Sequence, residues 1–322
     1  MSIGEQLAAW LTDELAAPVR IENLRRTTAG FSRENWVFDA TWDGDAHQLI
    51  ARRDPAGSVL STDRQVECAV LEALRYIDVP APMLRWADQR GERLGRPALI
   101  MDLSPGSCDN FVLNGNRPMP ERLAIAQRIY DRLADIHRID WRAARLDRHL
   151  VNPGPRAAAA ALDHWEAELG KVKFEPEPEL AFVLSWLRAN VPNNEVVTLV
   201  HGDYKPGNVL LDDDGDVTAV LDWETAHLGD PHEDLGWVTN PLRAYEHSIA
   251  GVWGAGDFLQ RWSDRTGFTV DAERVHWWRV LANVKLTVIV LTGIHSFLDK
   301  RSDRIFPNPV ALFPLLLDQI GA

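Results

Sequence analysis

An α+β fold, with a small antiparallel-sheet lobe followed by a larger helical lobe, is predicted by three observations. Short alternating segments fill the first third of the 322 residues, helix-periodic segments fill the rest, and Ser104-Pro105-Gly106 divides the two. Residues 1–103 are read as one lobe and 104–322 as the other. With 46% hydrophobic and 25% charged residues, the chain has the apolar material for an ordinary core.

Residues 3–17 carry apolar side chains at helical spacing up to Pro18, which predicts an amphipathic opening helix. Residues 19–24, 35–42 and 48–53 partly alternate and are separated by turns such as Asp43-Gly44-Asp45, the pattern of an antiparallel meander. Residues 63–76 align Val66, Val70, Leu71 and Leu74 on one face and stop at Val79-Pro80-Ala81-Pro82, so a helix interrupts the strands. Residues 84–86 and 97–103 complete the sheet. Beyond the dividing turn, residues 120–139 repeat Leu123, Ile125, Ala126, Ile129, Tyr130, Leu133 and Ile136 with a helical period. Further helices are predicted at 155–169, 177–190, 242–266, 271–299 and 308–320.

Composition narrows the function. A formal net charge of −13, with no cluster of Lys and Arg, argues against a protein that tracks nucleic-acid phosphates. Cys68 and Cys108 are too few for a disulfide scaffold or a zinc site, and a cytoplasmic location is expected. The first residues lack the basic and apolar regions of a signal peptide. The most apolar stretch, residues 280–298, has Arg279, Lys285 and His295 in or beside it and reads as a core helix, so no membrane partner is expected.

Within the helical half the texture changes at Val200-His201-Gly202-Asp203-Tyr204-Lys205-Pro206-Gly207-Asn208-Val209-Leu210-Leu211. An Asp-rich turn follows, then Val217-Thr218-Ala219-Val220-Leu221-Asp222-Trp223-Glu224. Two apolar strands joined by an Asp-Gly turn make a hairpin, which brings Asp203, Asn208 and Asp222 to one end. Phosphoryl transfer needs such a set. One carboxylate orients the acceptor hydroxyl and takes its proton, and hard oxygen ligands hold Mg²⁺ on the nucleotide phosphates. The acidic turn at 212–216 lacks the spacing and distal Glu of a calcium loop.

The His-x-Asp-x-x-x-x-Asn series with an Asp at a strand end resembles the kinase catalytic loop and metal-binding Asp. Gly202, Asp222-Trp223-Glu224 and Gly229-Asp230-Pro231-x-x-Asp234-Leu235 make it similar to the aminoglycoside phosphotransferase and choline kinase superfamily, particularly the branch fused to acyl-CoA dehydrogenases. The resemblance implies a two-lobed protein-kinase-like fold with ATP in the cleft and Mg²⁺ as cofactor. It implies Asp203 as catalytic base, Lys205 near the transferred phosphoryl group, and Asn208 and Asp222 as metal ligands. His201 is expected to pack beneath the loop, and Asp230 and Asp234 to tie the following helix. In the first lobe, Gly30-Phe31-Ser32 stands where the superfamily has its phosphate-covering loop. Arg52 occupies the place of the usual phosphate-binding Lys, with Glu67 as its helix partner, and the two residue types are not interchangeable. Met101 and Leu103 match the adenine-contacting hinge or form a plain buried strand.

Two rivals are weighed against a small-molecule kinase. A protein kinase needs a long activation segment after the metal-binding Asp, whereas Gly229-Asp230-Pro231 follows Asp222 closely. A catalytically silent binding module would keep the fold, yet Asp203, Asn208 and Asp222 are all present. The acceptor is expected to be a small molecule, with a hydroxyacyl type preferred to an aminoglycoside. Glu166, Glu168, Glu233 and Asp299 could bind amino groups or be solvated charges. Trp165, Trp186, Trp237, Trp277 and Trp278 could stack on a ligand, though core packing is the expected role.

Overall fold

The computed structural model describes residues 1–27, 33–55, 64–174, 176–193, 195–301 and 305–321. Helix α1 (Ile3–Leu15) starts at Ser2, whose hydroxyl accepts the Glu5 amide while the Glu5 carboxylate accepts the Ser2 amide, a reciprocal cap. Strands β1 (Arg20–Arg26), β2 (Glu34–Trp42), β3 (Asp45–Arg53), β4 (Leu84–Asp88) and β5 (Ala98–Asp102) form one antiparallel sheet in the order β1-β2-β3-β5-β4. Helix α2 (Arg64–Leu74) lies between β3 and β4 in sequence.

Period-two alternation divides the sheet's side chains between two cores. Leu49, Ala51, Ala98 and Ile100 join Leu7, Trp10 and Leu11 of α1 on one face. Leu99 and Met101, with partly buried Ile50, join Val70, Leu71 and Leu74 of α2 on the other, and that core continues into the helical lobe. The sheet is therefore buried on both sides, and β3 carries Arg52 along the face shared with α2.

The second lobe contains α3 (Met119–His137), α4 (Ala157–Val172), α5 (Pro178–Ala189), the strand β6 (Thr198–Val200), the hairpin β7 (Val209–Leu211) and β8 (Val217–Val220), and β9 (His227–Gly229), paired with β6. Helices α6 (His232–Val238), α7 (Ala244–His247), α8 (Ala255–Thr266), α9 (Ala272–Leu298) and α10 (Phe313–Gln319) follow. Among the described residues α9 is the one helix long and apolar enough by length and composition to cross a membrane; 61% of its apolar window is buried, against α4, α5, α6 and α10.

One expectation needs correction. The helix predicted over 242–266 is two helices, separated by a turn in which Ile249 and Trp253 bridge and Gly251 adopts φ +71°. Asn114 Nδ2 donates to the carbonyls of Tyr245 and Ser248 at 2.9 Å each, satisfying the end of α7 from outside. That contact spans more than a hundred positions, so local periodicity could not reveal it.

Candidate active site

Residues 201–208 run from the end of β6 to the start of β7, and buried polar groups hold them from below. Asp234, on α6 and fully buried, accepts the amides of His201 at 2.7 Å and Gly202 at 2.8 Å, and His137 Nε2 at 3.1 Å. Burial opposes its ionisation, but His137 and these donors hold its carboxyl below the usual carboxylate range. Gly202 sits at φ +82°, and a Cβ there would lie 2.9 Å from the Thr225 carbonyl oxygen, so glycine alone makes this turn without strain. Lys285 Nζ, reaching across from α9, donates to the Gly202 carbonyl at 2.5 Å.

His201 is fully buried, and burial lowers its pKa, leaving the ring neutral. Its Nδ1 accepts the Asp203 amide at 3.3 Å and its Nε2–H donates to the Leu221 carbonyl at 2.9 Å. The imidazole thus ties the backbone of Asp203 to the residue preceding Asp222. It packs beneath the loop, as expected. Asp230 ties α6 by accepting the His232 amide at 2.9 Å, whereas Asp234 differs from expectation by holding the 201–208 loop instead.

Above this support the Asp203 carboxylate meets Lys205 Nζ at 2.6 Å and Asn208 Nδ2 at 3.1 Å; the Asn208 amide also donates to the Asp203 carbonyl at 2.9 Å. Burial would raise the Asp203 pKa, but Lys205, Arg243 and Lys285 outweigh it and bring it to about 2. Lys205 is in turn held charged by Asp203 against the cost of burial. The Leu221 amide donates to the Asn208 carbonyl at 2.8 Å, which sets Asp222 beside the cluster with φ +60°.

Asp222 is also the meeting point of the lobes. Arg52 Nη2 lies 2.5 Å from Asp222 Oδ1 and its Nη1 lies 3.4 Å from Glu67 Oε1. Glu67 pairs with Arg64 at 2.5 Å, Arg64 with Asp54, Asp54 with Arg33 at 2.9 Å, and Arg33 with Glu224 at 2.8 Å. Among the described residues three guanidinium groups thus alternate with four carboxylates in a chain that runs from Asp222 to Glu224, a surplus of negative charge suited to a divalent cation. Burial raises the Glu224 pKa even though Arg33 opposes it. Burial would discharge Arg52, but Asp222, Glu67 and Glu224 raise its pKa and keep it charged.

Arg52, Glu67, Asp203, Lys205, Asn208 and Asp222 are thus brought together as the sequence predicts. Gly30, Phe31 and Ser32 lie outside the described residues. At the hinge, Met101 is paired within β5 and the Leu103 amide already donates to Gln48 O at 2.9 Å, so that N–H is not open to a base. Sequence reasoning missed Arg33, Asp54, Arg64 and Glu224; only the Arg64–Glu67 spacing of one helical turn was a local signal.

The sequence model of the phosphotransferase enzyme family matches residues 23–275, which contain Arg52, Glu67, Asp203, Lys205, Asn208 and Asp222 but not Lys285. The chain belongs to that family. Mouse acyl-CoA dehydrogenase family member 10 is 29% identical over 196 residues, 59% of this chain and 18% of the mouse protein. Human family member 11 is 28% identical over 58% of this chain and 24% of its own length. The chain thus spans less than a quarter of these relatives. An aminoglycoside 3′-phosphotransferase of Streptomyces ribosidificus is 25% identical over 76% of this chain and 89% of that protein. Among solved structures, macrolide 2′-phosphotransferase MphH of Brachybacterium faecium superposes with TM-score 0.60, 20% identity and 98% coverage of both chains. The aminoglycoside phosphotransferase APH(4)-Ia, solved with ADP and hygromycin B, gives TM-score 0.61 and 15% identity, covering 98% of this chain and 99% of that one. These structures share the fold, a two-lobed kinase-like α+β architecture.

In this family member the acids nominated for amine binding are engaged elsewhere. Glu166 pairs with Arg188, Glu168 with Lys171 at 2.5 Å and Asp299 with Arg301 at 2.7 Å, while Glu233 accepts from His227 at 3.0 Å. Trp165, Trp277 and Trp278 are buried in the core around α9, with Trp186 packed against it, as expected. Trp165 and Trp237 additionally face Lys285, whose Nζ lies 5.4 and 4.7 Å from their ring centroids.

Proposed function

We infer that the protein transfers the γ-phosphoryl group of ATP, with Mg²⁺, to a hydroxyl of a small molecule. The observation that carries this reading is the convergence of Asp203, Lys205, Asn208 and Asp222 at one end of the β7–β8 hairpin, within reach of Arg52 from the other lobe. Residues 1–103 would form the nucleotide lobe and 104–322 the lobe that carries chemistry and acceptor.

The residues present fit a magnesium nucleotide. Asn208 turns its amide nitrogen to Asp203, leaving Oδ1 for a metal, and Asp222 is partly exposed with one oxygen on Arg52. Among the described residues no three acidic, His or Cys groups form a closed metal cage. That agrees with Mg²⁺, which takes one or two protein oxygens and completes its shell with phosphates and water. When bound, Mg²⁺ would neutralise the phosphate oxygens.

The chain's own groups divide the remaining work. Asp203, ionised with a pKa of about 2, orients the acceptor hydroxyl and receives its proton late, as bond formation makes that proton acidic. Lys205 shares charge between Asp203 and the incoming phosphoryl group. Arg52 exchanges Asp222 for the nucleotide phosphates while Glu67 keeps its stem aligned. The ADP complex of APH(4)-Ia supports nucleotide use in this fold. The acyl-CoA dehydrogenase family relatives, and the engagement of the nominated acids with other partners, support a hydroxyacyl-type acceptor over an aminoglycoside.

The test is Mg²⁺-dependent ADP release across hydroxy acids, their CoA esters, amino alcohols, sugars and aminoglycosides. Asp203→Ala should abolish turnover and spare nucleotide binding. Asp222→Ala should weaken Mg-ATP binding in calorimetry. Turnover that survives in Asp203→Ala would remove that residue from its role; no Mg-ATP binding by the wild type would favour a silent module.

A further inference from the structure

Near Asp203, around Trp237, buried hydrogen-bond donors outnumber their acceptors. Lys285 is 6% exposed and uses one N–H on the Gly202 carbonyl, and no carboxylate lies within ion-pair distance of it among the described residues. Trp237 is 3% exposed, and its indole N–H has no partner. Arg243 places its guanidinium carbon 4.4 Å from the Trp237 ring centroid, pairs with Glu246 at 2.5 Å through Nη2, and leaves its buried Nε–H without a partner. An unpaired buried donor is costly, so an arrangement that keeps several together calls for an acceptor.

Other charges nearby do not cancel this bias. Glu233 shares the cavity with Lys285 and Trp237, but its carboxylate is taken by His227. Burial disfavours the His227 cation, yet Glu233 raises its pKa to about 9, so the pair is neutral overall. Glu246 offsets Arg243, and Asp203 offsets Lys205. Lys285 is left as the uncompensated charge. The cavity beside it, lined by Gly202, Glu233, Trp237, Lys285 and apolar side chains, has a volume of ≈ 10 Å³, and Arg243 reaches it only by stacking on the Trp237 ring. That is about the space of one water-sized group, enough for a single oxygen of a larger anion.

We propose that Lys285 and the Trp237 indole, with Arg243 against the Trp237 ring, form a seat for an anionic oxygen group on the acceptor, a carboxylate or a phosphate, carried close to the hydroxyl that Asp203 orients. The inference rests on the phosphotransferase reading above and narrows its acceptor class. A cationic amino sugar would bring its charge against Lys285 with no free carboxylate to meet it. A neutral alcohol would bring no charge to meet Lys285.

The experiment is equilibrium binding by calorimetry to the full chain saturated with Mg²⁺ and the inert analogue AMP-PNP. The probes are short hydroxy acids, the methyl esters of those acids, sugar monophosphates and kanamycin. The seat predicts that hydroxy acids or sugar monophosphates bind at least about tenfold more tightly than the esters and kanamycin. Whichever anion binds identifies the headgroup. Trp237→Phe and Arg243→Lys keep ring and charge but remove the two free N–H donors. Each should weaken the anion about tenfold while leaving AMP-PNP affinity unchanged. The proposal is overturned if esters bind as well as acids, if kanamycin binds most tightly, if no anion binds, or if neither variant changes anion affinity. Failure of the phosphotransferase reading shows separately, as absence of AMP-PNP binding.

Discussion

Replacing Asp234 by Ala should cost stability and, on the proposed function, turnover together, because its carboxylate is the floor of the 201–208 loop. The group is 0% exposed and accepts three hydrogen bonds, from the amides of His201 and Gly202 and from His137 Nε2. Removing it strands two buried backbone donors and one imidazole N–H. At about 1–3 kcal/mol for each unsatisfied buried donor, partly relieved by water entering the space, the expected loss is about 3–5 kcal/mol. Asp234→Asn keeps the shape but can accept only one of the two amides and opposes its own N–H to the other; about 2 kcal/mol is expected. Urea unfolding followed by tryptophan fluorescence measures both. Turnover should fall in the Asn variant, since Gly202 and Asp203 lose their anchor, whereas nucleotide affinity should persist because Arg52 and Glu67 are held independently. A loss below about 1 kcal/mol in Asp234→Ala would refute this account of the loop.

Three further outcomes are expected. Arg52→Met leaves Asp222, Glu67 and Glu224 facing one another with one cation fewer, so stability should drop by about 3 kcal/mol and be partly restored by Mg²⁺, read in the same urea assay with and without the ion. His227 has its folded pKa raised to about 9, so its contribution is full below the ordinary histidine range and lost as pH rises through about 9. The side chain is 40% exposed, so solvent screening makes this swing small; comparison of wild type with His227→Gln from about pH 6 to about pH 9.5 should show the wild type alone losing stability. Asp203 has its folded pKa depressed to about 2, so its contribution is present above the usual aspartate range and lost as pH falls through about 2. A kcat/KM profile should therefore show no acidic limb from Asp203 between about pH 4 and pH 8.

How much of this was legible beforehand follows from sequence separation. Asp203, Asn208 and Asp222 lie on one hairpin, so strand pattern and turn chemistry alone bring them together. Arg52 and Asp222 are 170 positions apart, yet the family resemblance pointed to both. The network around them was not legible. Arg33, Asp54 and Glu224 come from a segment before β2, the end of β3 and the turn after β8, and no periodicity relates them. Strands β6 and β9, three residues each, are too short to alternate detectably; they exist because the segments flanking the catalytic loop must satisfy their backbone groups. Lys285 was legible only as an obstacle to a membrane span. Its position under Gly202 depends on the packing of α9 on α6, where a Cβ on Gly236 would fall 2.6 Å from Trp278 Cβ.

The two sides of Asp203 obey opposite charge logic, and that contrast bears on function. Toward Asp222 the network carries surplus negative charge and one carboxylate held above its usual range, the condition for attracting a divalent cation with its nucleotide. Toward Trp237 the surplus is positive and rich in donors. Asp203 sits where the two fields meet, and Lys205 links it to the first while Lys285 and Arg243 act on it from the second. On the proposed reading, an acceptor with an anionic end would be oriented by this field, its hydroxyl toward Asp203 and its charge away from the phosphates. A cationic acceptor would be drawn toward Asp222 and compete with Mg²⁺ for the same carboxylate. High magnesium should then inhibit any activity on amines while leaving activity on acids intact, and the reverse dependence would place the acceptor on the other side of Asp203.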